Sequence, residues 1–414
     1  MTDPAPSEIR VRAVREEDLE TFAETNGSAF GFEWDADDWT NVTRLVQPNR
    51  MLCAFQGAAM VGVAGALQFS LAVPGGELPT AGVTLVGVRP SHRRRGVLTA
   101  MMRHQLDDVR AWGEPLAILW ASESNIYHRF GYGLATLRAT IDVEPDRATF
   151  RAPSLPFGRI RLIPLDEALR ILPDLHERAR AGSPGTFRRS PTWWTERRLA
   201  DSARHRRGGG PMFRAALEVD GRAEGYALYR VHSSWGESGL PEGWLDVLEA
   251  LGTTPLATRE IWRFLFGVDL VARVRADRLR PDHPLLLTLA EPRRLRLRLL
   301  DGIWLRVVDV RAALGARAYA DTGSLIFDLI DPFCPWNAGR WRLEAGPGGA
   351  RLAPTADPPD LRLDASDLGA AYLGGVSFSQ LVRAARVEEL RPGAAHRADA
   401  LFHTPIAPWC PDDF

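Results

Sequence analysis

Polar and apolar positions alternate over Ile9–Ala13 with the period of a half-buried strand, and Glu16–Ala29 then reads as a helix whose acidic first turn suits its dipole. A loop rich in acids and aromatics follows. Met51 to Gly76 is uncharged and long enough on paper to cross a bilayer, yet it carries Gln56, Gln68, Ser70, Pro74 and five glycines. Gln56–Gly57 divides it into two runs of strand type, which predicts a hairpin and not a membrane span. Thr80–Val88 predicts a further strand. From Gly96 onward Val97, Leu98, Met101, Met102, Gln105, Leu106 and Val109 recur at near-helical spacing, so an amphipathic helix should lie on the sheet. Leu116–Trp120 is a buried-strand run, and Ser122, Glu123, Ser124 and Asn125 are helix-capping types ahead of a short helix carrying Ile126, Tyr127 and Phe130. Strand and helix therefore alternate through the first third, as in an α/β domain.

A fainter version of this order returns between about Ile160 and about Leu289. A hairpin around Asp220–Gly221 precedes Gly225 as Gln56–Gly57 precedes Gly62, and a strand at Trp244–Ala250 and a helix at Arg259–Phe266 follow. The junction between them reads Leu251-Gly252-Thr253-Thr254-Pro255, without arginine, which predicts a duplication whose second copy has lost its ligand loop. From about Pro292, arginine and leucine alternate strictly over Arg294–Leu299, and Asp301–Gly302 predicts a hairpin turn into Ile303–Val310. The arginine side fits a solvated sheet face better than a nucleic-acid stripe. Leu361–Leu368 predicts a strand and a turn, and Ser379–Ala385 a helix. Prolines exclude a regular element after His403, although Ile406, Trp409 and Phe414 still have apolar surface to bury.

At 414 residues the chain should hold about three domains. Its 45% hydrophobic and 25% charged residues exclude collagen-like and wholly disordered classes. With 51 basic against 52 acidic residues, the net charge of -1 gives no argument for nucleic acid or an anionic membrane as partner. Every basic residue is arginine, so lysine Schiff-base or general-base chemistry is excluded. Cys53, Cys334 and Cys410 form neither a disulfide framework nor a metal pattern, and the polar N-terminus lacks the order of a signal peptide, so a cytoplasmic location is expected. The histidines include no pair at helical metal spacing, and no metal is expected.

The chemistry concentrates at Val86-Gly87-Val88-Arg89-Pro90-Ser91-His92-Arg93-Arg94-Arg95-Gly96-Val97-Leu98-Thr99. A strand runs into a turn with three arginines and a glycine opens a helix, so free N–H groups and the positive dipole end converge on an anion site; a merely basic turn is the alternative. Arg93–Leu98 resembles the acetyl-CoA loop of the GNAT acyltransferase superfamily (Arg or Gln, two residues, Gly, one residue, Gly or Ala), with Leu98 standing at the last, small position. The whole run, with Ala121-Ser122-Glu123 and Ile126-Tyr127-His128-Arg129-Phe130-Gly131-Tyr132-Gly133, is similar to the Eis (enhanced intracellular survival) family of actinobacterial acetyltransferases. Ser366-Asp367-Leu368-Gly369 and Tyr372-Leu373-Gly374-Gly375 resemble that family's sterol-carrier-like domain.

The resemblance implies an α/β (α+β) protein: two GNAT-like mixed-sheet domains in tandem (1–150, with the acetyl-CoA site, and 151–289, lacking it), a sterol-carrier-protein-like α/β domain (290–402), and a tail (403–414) returning to the active site. It implies a homohexamer that acetylates several amines of aminoglycosides with acetyl-CoA as cosubstrate. Val86, Gly87 and Val88 would hold the pantetheine arm by backbone bonds, Arg94, Arg95, Gly96, Val97, Leu98 and Thr99 would wrap the pyrophosphate, and Ser122 and Glu123 would line the cosubstrate's other side. Tyr127 would be the general acid and the α-carboxylate of Phe414 the general base.

Acetyl transfer from a thioester needs a neutral amine, a proton for the departing thiolate and stabilisation of the oxyanion. A phenol near pKa ~10 suits a thiol near ~8.5; a tyrosine that only packs a short helix onto the sheet is the alternative for Tyr127. A carboxylate near ~3.5 lies about 6.5 units below an ammonium near ~10. Neighbouring ammonium groups on a polyamine and burial of the carboxylate would narrow that gap. Trp34, Asp35 and Asp38 on the loop after the first helix, with their acidic and aromatic neighbours and with Asp412 and Asp413 before the terminus, would attract and stack on a flat polycation. Two other readings stand beside this one: acetylation of a protein lysine or N-terminus, and a lipid or small-molecule binding protein built on the sterol-carrier-like domain.

Overall fold

The structure is a computed structural model and describes residues 8–153, 157–346 and 348–414. The chain forms two compact units. One comprises the residues up to Thr136, Ile303–Pro408 and Asp413–Phe414; the other comprises Leu137–Gly302 and Trp409–Asp412.

In the first unit, β1 (Ile9–Ala13), β2 (Met51–Gln56), β3 (Ala59–Val73), β4 (Gly76–Val88), β5 (Leu116–Trp120) and β6 (Gly133–Leu134) form a mixed sheet. The second unit holds β7 (Leu137–Val143), β8 (Arg159–Leu162), β9 (Phe213–Val219), β10 (Arg222–His232), β11 (Trp244–Gly252), β12 (Arg273–Leu279) and β13 (Arg298–Asp301); β14 (Ile303–Val307) then belongs to the first sheet. The orders are β1-β2-β3-β4-β5-β14-β6 and β13-β7-β12-β11-β10-β9-β8. Read from β8, the second sheet repeats the first position by position, with β7 where the first has β14. Each copy therefore contributes a strand to the other's sheet, and the expected duplication is present with one strand exchanged.

The uncharged run from Met51 is the predicted hairpin, turning on Gly57 at φ 62°, and its side chains are almost all buried. Helix α1 (Leu19–Phe30) ends on Gly31 in the left-handed conformation, whose N–H donates to the Gly27 carbonyl at 2.8 Å. After α2 (Ala36–Leu45), α3 (Val97–Ala111) lies so close to β3 that a Cβ on Gly62 would sit 2.8 Å from Val97 Cγ1. In the second sheet, Ala227 and Tyr229 of β10 pack with Ile261 and Trp262 of the helix Pro255–Phe266. Tyr226 and Leu228 point to the other face, toward Leu172 and Leu175 of the helix Leu165–Arg180. This period-two division places a core on each side of the strand.

A third sheet in the first unit runs β17 (Gly349–Pro354), β16 (Gly339–Gly346), β15 (Gly323–Ile330), β18 (Leu361–Asp364), β19 (Glu388–Glu389). After β18, Asp364 caps the helix Ala365–Tyr372 by accepting from the Ser366 and Asp367 N–H groups, and every residue of that helix is buried. Side chains on Gly133 or Gly369 would overlap the Ser366 and Leu305 carbonyl oxygens, respectively, so these glycines let the helix pack directly on β6 and β14. Arg306 and Asp331, both fully buried, form an ion pair, and Asp331 also accepts from the Cys334 N–H at 2.9 Å.

Three expectations need correction. Arg294–Val310 is not a hairpin: Pro292–Leu295 is a 3-10 turn, β13 pairs with β7 and β14 pairs with β5 and β6. Alternation specifies faces and not partners, and Gly302 lacks the positive φ of a tight two-residue hairpin turn. The polar run Ser122–Asn125 caps no α-helix; it is a loop into a 3-10 turn at Tyr127–Phe130, closed by Gly131 at φ 82°. Leu361–Leu368 is a strand followed by a helix and not by a turn, because Asp364 and Asp367 form a reciprocal cap. No helix among the described residues is long and apolar enough to cross a membrane.

Candidate active site

Strands β4 and β5 pair in parallel from Thr80–Leu116 to Gly82–Ile118 and no further, although β4 continues to Val88 and β5 to Trp120. The two strands part at this point and leave a wedge. On the opposite edge of β4 the pairing with β3 slips between Val63–Gly87 and Gly65–Thr84, and Leu85 takes φ 56°. This bulge turns the end of the strand. The amide of Asn26 on α1 holds it by donating to the Leu85 carbonyl at 3.0 Å, while its oxygen accepts from the Trp34 indole at 3.2 Å.

A cavity of about 260 Å³ occupies the wedge. Val83, Thr84, Leu85 and Val86 form one wall, Trp120, Ser122 and Tyr127 another, and Asn26, Phe30, Phe32, Trp34 and Phe414 close it. The structure thus brings together Val86, Ser122, Tyr127, Trp34 and Phe414. Tyr127 is 6% exposed, lies edge-on to Tyr132, and its phenol is pushed up to about 12 by burial and secondarily by Glu123. That is well above the ~10 taken for a free phenol, so Tyr127 holds its proton throughout the physiological range. The Phe414 ring rests edge-on against Phe69, with centroids 5.0 Å apart. Phe69 in turn covers Gly82, where a side chain would overlap its ring.

At the end of β4, Arg89 donates to the Thr25 hydroxyl and Arg93 to the Ala29 carbonyl at 2.9 Å, so both guanidiniums are tied to α1. Arg94 (φ 63°) and Gly96 (φ 83°) take left-handed conformations, and Arg94, Arg95, Gly96 and Thr99 are exposed while Val97 is buried under the helix. Gly96 precedes α3 without a side-chain cap. The first-turn N–H groups and the dipole therefore face outward at an open, arginine-flanked point, which fits a pyrophosphate. Leu98 is half-buried and packs against the core.

A larger surface cavity of about 1160 Å³ lies on the other side of α1. Glu20, Glu24 and Glu33 line it with Phe32, Trp34 and Trp39, and Phe32 and Trp34 line the wedge cavity as well. The expected substrate acids are placed differently. Asp35 caps α2 by accepting from the Asp37 and Asp38 N–H groups, and Asp38 is 5% exposed. Neither lines these two cavities. Asp412, expected among the attracting acids, is instead buried in the second unit in an ion pair with Arg189, while Asp413 is half-buried in the first. The acids missed in the sequence, Glu20 and Glu24, share one face of α1 with Gly27, Ser28 and Gly31. Their helical spacing was the available signal.

A sheet with a parting wedge between its parallel strands, a glycine-opened helix beside it, and a second copy of the same sheet define the class: a GNAT-fold acetyltransferase. Acetyltransferase (GNAT) domain models match residues 10–135 and 185–307, and a sterol carrier protein domain model matches 310–411. An uncharacterized N-acetyltransferase of Streptomyces avermitilis is 42% identical, covering 98% of this chain and 99% of that protein. The N-acetyltransferase Eis of Mycobacterium bovis is 35% identical over 84% of this chain and 85% of its own. The crystal structure of Eis1 from Mycobacterium abscessus superposes with a TM-score of 0.84 at 32% identity, covering 99% of this chain and all of that one. The chain belongs to the Eis family of N-acetyltransferases. It is an acyltransferase of a class that uses acetyl-CoA.

Proposed function

We propose that the protein transfers acetyl groups from acetyl-CoA to several amines of a polycationic substrate of the aminoglycoside class. The observation that carries this reading is the pair of cavities sharing Phe32 and Trp34, one in the strand wedge and one lined by three carboxylates. The outer cavity concentrates a polycation and offers ring faces to stack on, and the inner one admits one amine at a time.

In this reading the free edge of Val86, Gly87 and Val88 pairs with the pantetheine amides, Arg94 to Thr99 meet the pyrophosphate, and Ser122 and Glu123 flank the other side. The acetyl donor supplies a thioester carbonyl in the wedge. The Phe414 carboxylate accepts the amine's proton, and the Tyr127 hydroxyl donates to the sulfur as it leaves. A phenol near 12 is a weaker acid than the thiol near ~8.5, so Tyr127 keeps its proton and stabilises the departing thiolate by a directed hydrogen bond, the thiolate leaving as such and equilibrating with solvent. Asp413 adds negative charge beside the terminus, and Asp35 shapes the loop that carries Trp34. Assembly as a homohexamer, free of metal, in the cytoplasm belongs to the same proposal, and sedimentation gives the assembly directly.

The test is acetyl-CoA-dependent thiol release with tobramycin and with a small monoamine. Glu20→Gln/Glu24→Gln/Glu33→Gln should raise KM for tobramycin about tenfold and leave the monoamine within about twofold. Equal effects on both remove the electrostatic basis, and turnover of peptide lysine with none of tobramycin transfers the reading to a protein substrate.

A further inference from the structure

The second sheet has a wedge of its own. Strands β11 and β12 pair in parallel from Trp244–Arg273 to Val247–Ala276 and then part. Two residues beyond the parting, Glu249 and Arg278 stand where Thr84 and Trp120 line the cavity of the first copy. Trp409 donates its indole N–H to the Arg278 carbonyl at 2.5 Å and its backbone N–H to the Pro184 carbonyl at 2.9 Å. The close approach needs Gly185, at φ 91°, where a Cβ would sit 2.8 Å from the Trp409 carbonyl. Asp412 accepts from Arg189 at 3.0 Å and from the Trp193 indole at 3.1 Å. Arg189 and Arg198 both also bind Glu249.

Charge decides what this site requires. Arg189, Arg198 and Glu249 are buried, and together they carry one excess positive charge that Asp412, also buried, neutralises. Nearby His176, fully buried, is held neutral by desolvation and by Arg189, so it adds no charge. The phosphate end of this wedge is closed. Thr254 caps the helix Pro255–Phe266 by accepting from the Ala257 N–H at 3.1 Å, and the Glu224 carboxylate bonds the Thr253 hydroxyl where an anion would approach.

We infer that the wedge of the second GNAT copy is a peptide-binding site, selective for an aromatic residue followed three residues later by a carboxylate, and that its ligand is this chain's own Trp409–Asp412. The segment docks as an exchangeable ligand: a peptide of the same sequence competes for the site. The inference does not depend on the acetyl acceptor.

The experiment uses a fluorescently labelled peptide of residues 404–414 and the full chain carrying Trp409→Ala/Asp412→Asn. The peptide should bind this variant saturably and at least about tenfold tighter than the wild-type chain, whose tail competes, and the peptide with Asp412→Asn should lose that binding. Absence of saturable binding, or equal binding of both peptides, overturns the proposal. Because the variant could fail to fold, hydrogen exchange of wild-type protein is a second reading. The Trp409 amide should exchange at least about a hundredfold slower than in the free peptide, and exchange at the free rate overturns the proposal as well.

Discussion

The two wedges begin alike and fill differently. In the first, β4 and β5 part after Gly82–Ile118, a bulge at Leu85 turns the strand, and Thr84, Trp120 and Tyr127 surround open space. In the second, β11 and β12 part after Val247–Ala276, and the equivalent positions hold Trp409 and Asp412 through Arg278 and the Arg189–Glu249 pair. The helix beyond the first opens on an uncapped glycine, and the helix beyond the second is capped by its own threonine. A duplicated fold has thus separated two tasks: one copy keeps the exposed N–H groups an anion needs, and the other satisfies them internally and uses a buried charge to hold a peptide.

The two copies should differ most in the roles of their tyrosines. Tyr127→Phe should lower kcat about 10²- to 10⁴-fold with KM for acetyl-CoA nearly unchanged, whereas Tyr226→Phe, which removes a 2.7 Å bond to Glu249, should leave kcat within about twofold. Steady-state thiol release separates them, and a matching loss in Tyr226→Phe would contradict the division. Next in size is Asp412→Asn, which leaves the buried Arg189–Arg198–Glu249 cluster with one uncompensated positive charge and should cost about 3–5 kcal/mol of stability in denaturant unfolding. A smaller contrast lies at the helix openings. Gly96→Val places a branched side chain at φ 83° and should weaken acetyl-CoA binding about tenfold, while Thr254→Ala should cost about 1 kcal/mol of stability and leave that binding alone.

The smallest contrast is in pH. Glu177 in the second unit is held at about 2, with burial opposing and the bidentate Arg180 guanidinium favouring its charged form. A depressed carboxylate stabilises above its unfolded value near ~4.3, and the contribution disappears as pH falls toward 2. Asp367 in the first unit is raised to about 7, mainly by burial and then by Asp364. The folded state there prefers the protonated form, so stability falls as pH rises from about 4 to 7. Asp367→Asn should therefore raise Tm at pH 8 and change it little at pH 4; an equal shift at both would exclude the carboxyl as the cause.

Much of this was legible locally. The hairpin at Gly57, the arginine turn before Gly96 and the amphipathic face of Val97–Val109 follow from short-range periodicity and turn chemistry. The pairing of β13 with β7 and of β14 with β5 was not legible, because partners far apart in sequence leave no periodic trace and Asp301–Gly302 carries the letters of a hairpin turn. The motif around Gly131–Gly133 and Ser366–Gly369 was readable as a resemblance, but its cause, a helix packed directly on two strands, lies in contacts between residues far apart in the chain, Gly133 with Ser366 and Gly369 with Leu305. At the site, Tyr127 and Trp34 came from their neighbours in sequence. Glu20, Glu24 and Asn26 were missed because a polar helix face looks the same whether it borders a cavity or open water, and Asp412 was misread because acids near a terminus usually face solvent.

Isothermal titration of the full chain with acetyl-CoA tests the division of labour most directly. One molecule should bind per chain, with the affinity reduced about tenfold in Gly96→Val. Two molecules per chain, or one bound as tightly in Gly96→Val as in the wild type, would contradict that division.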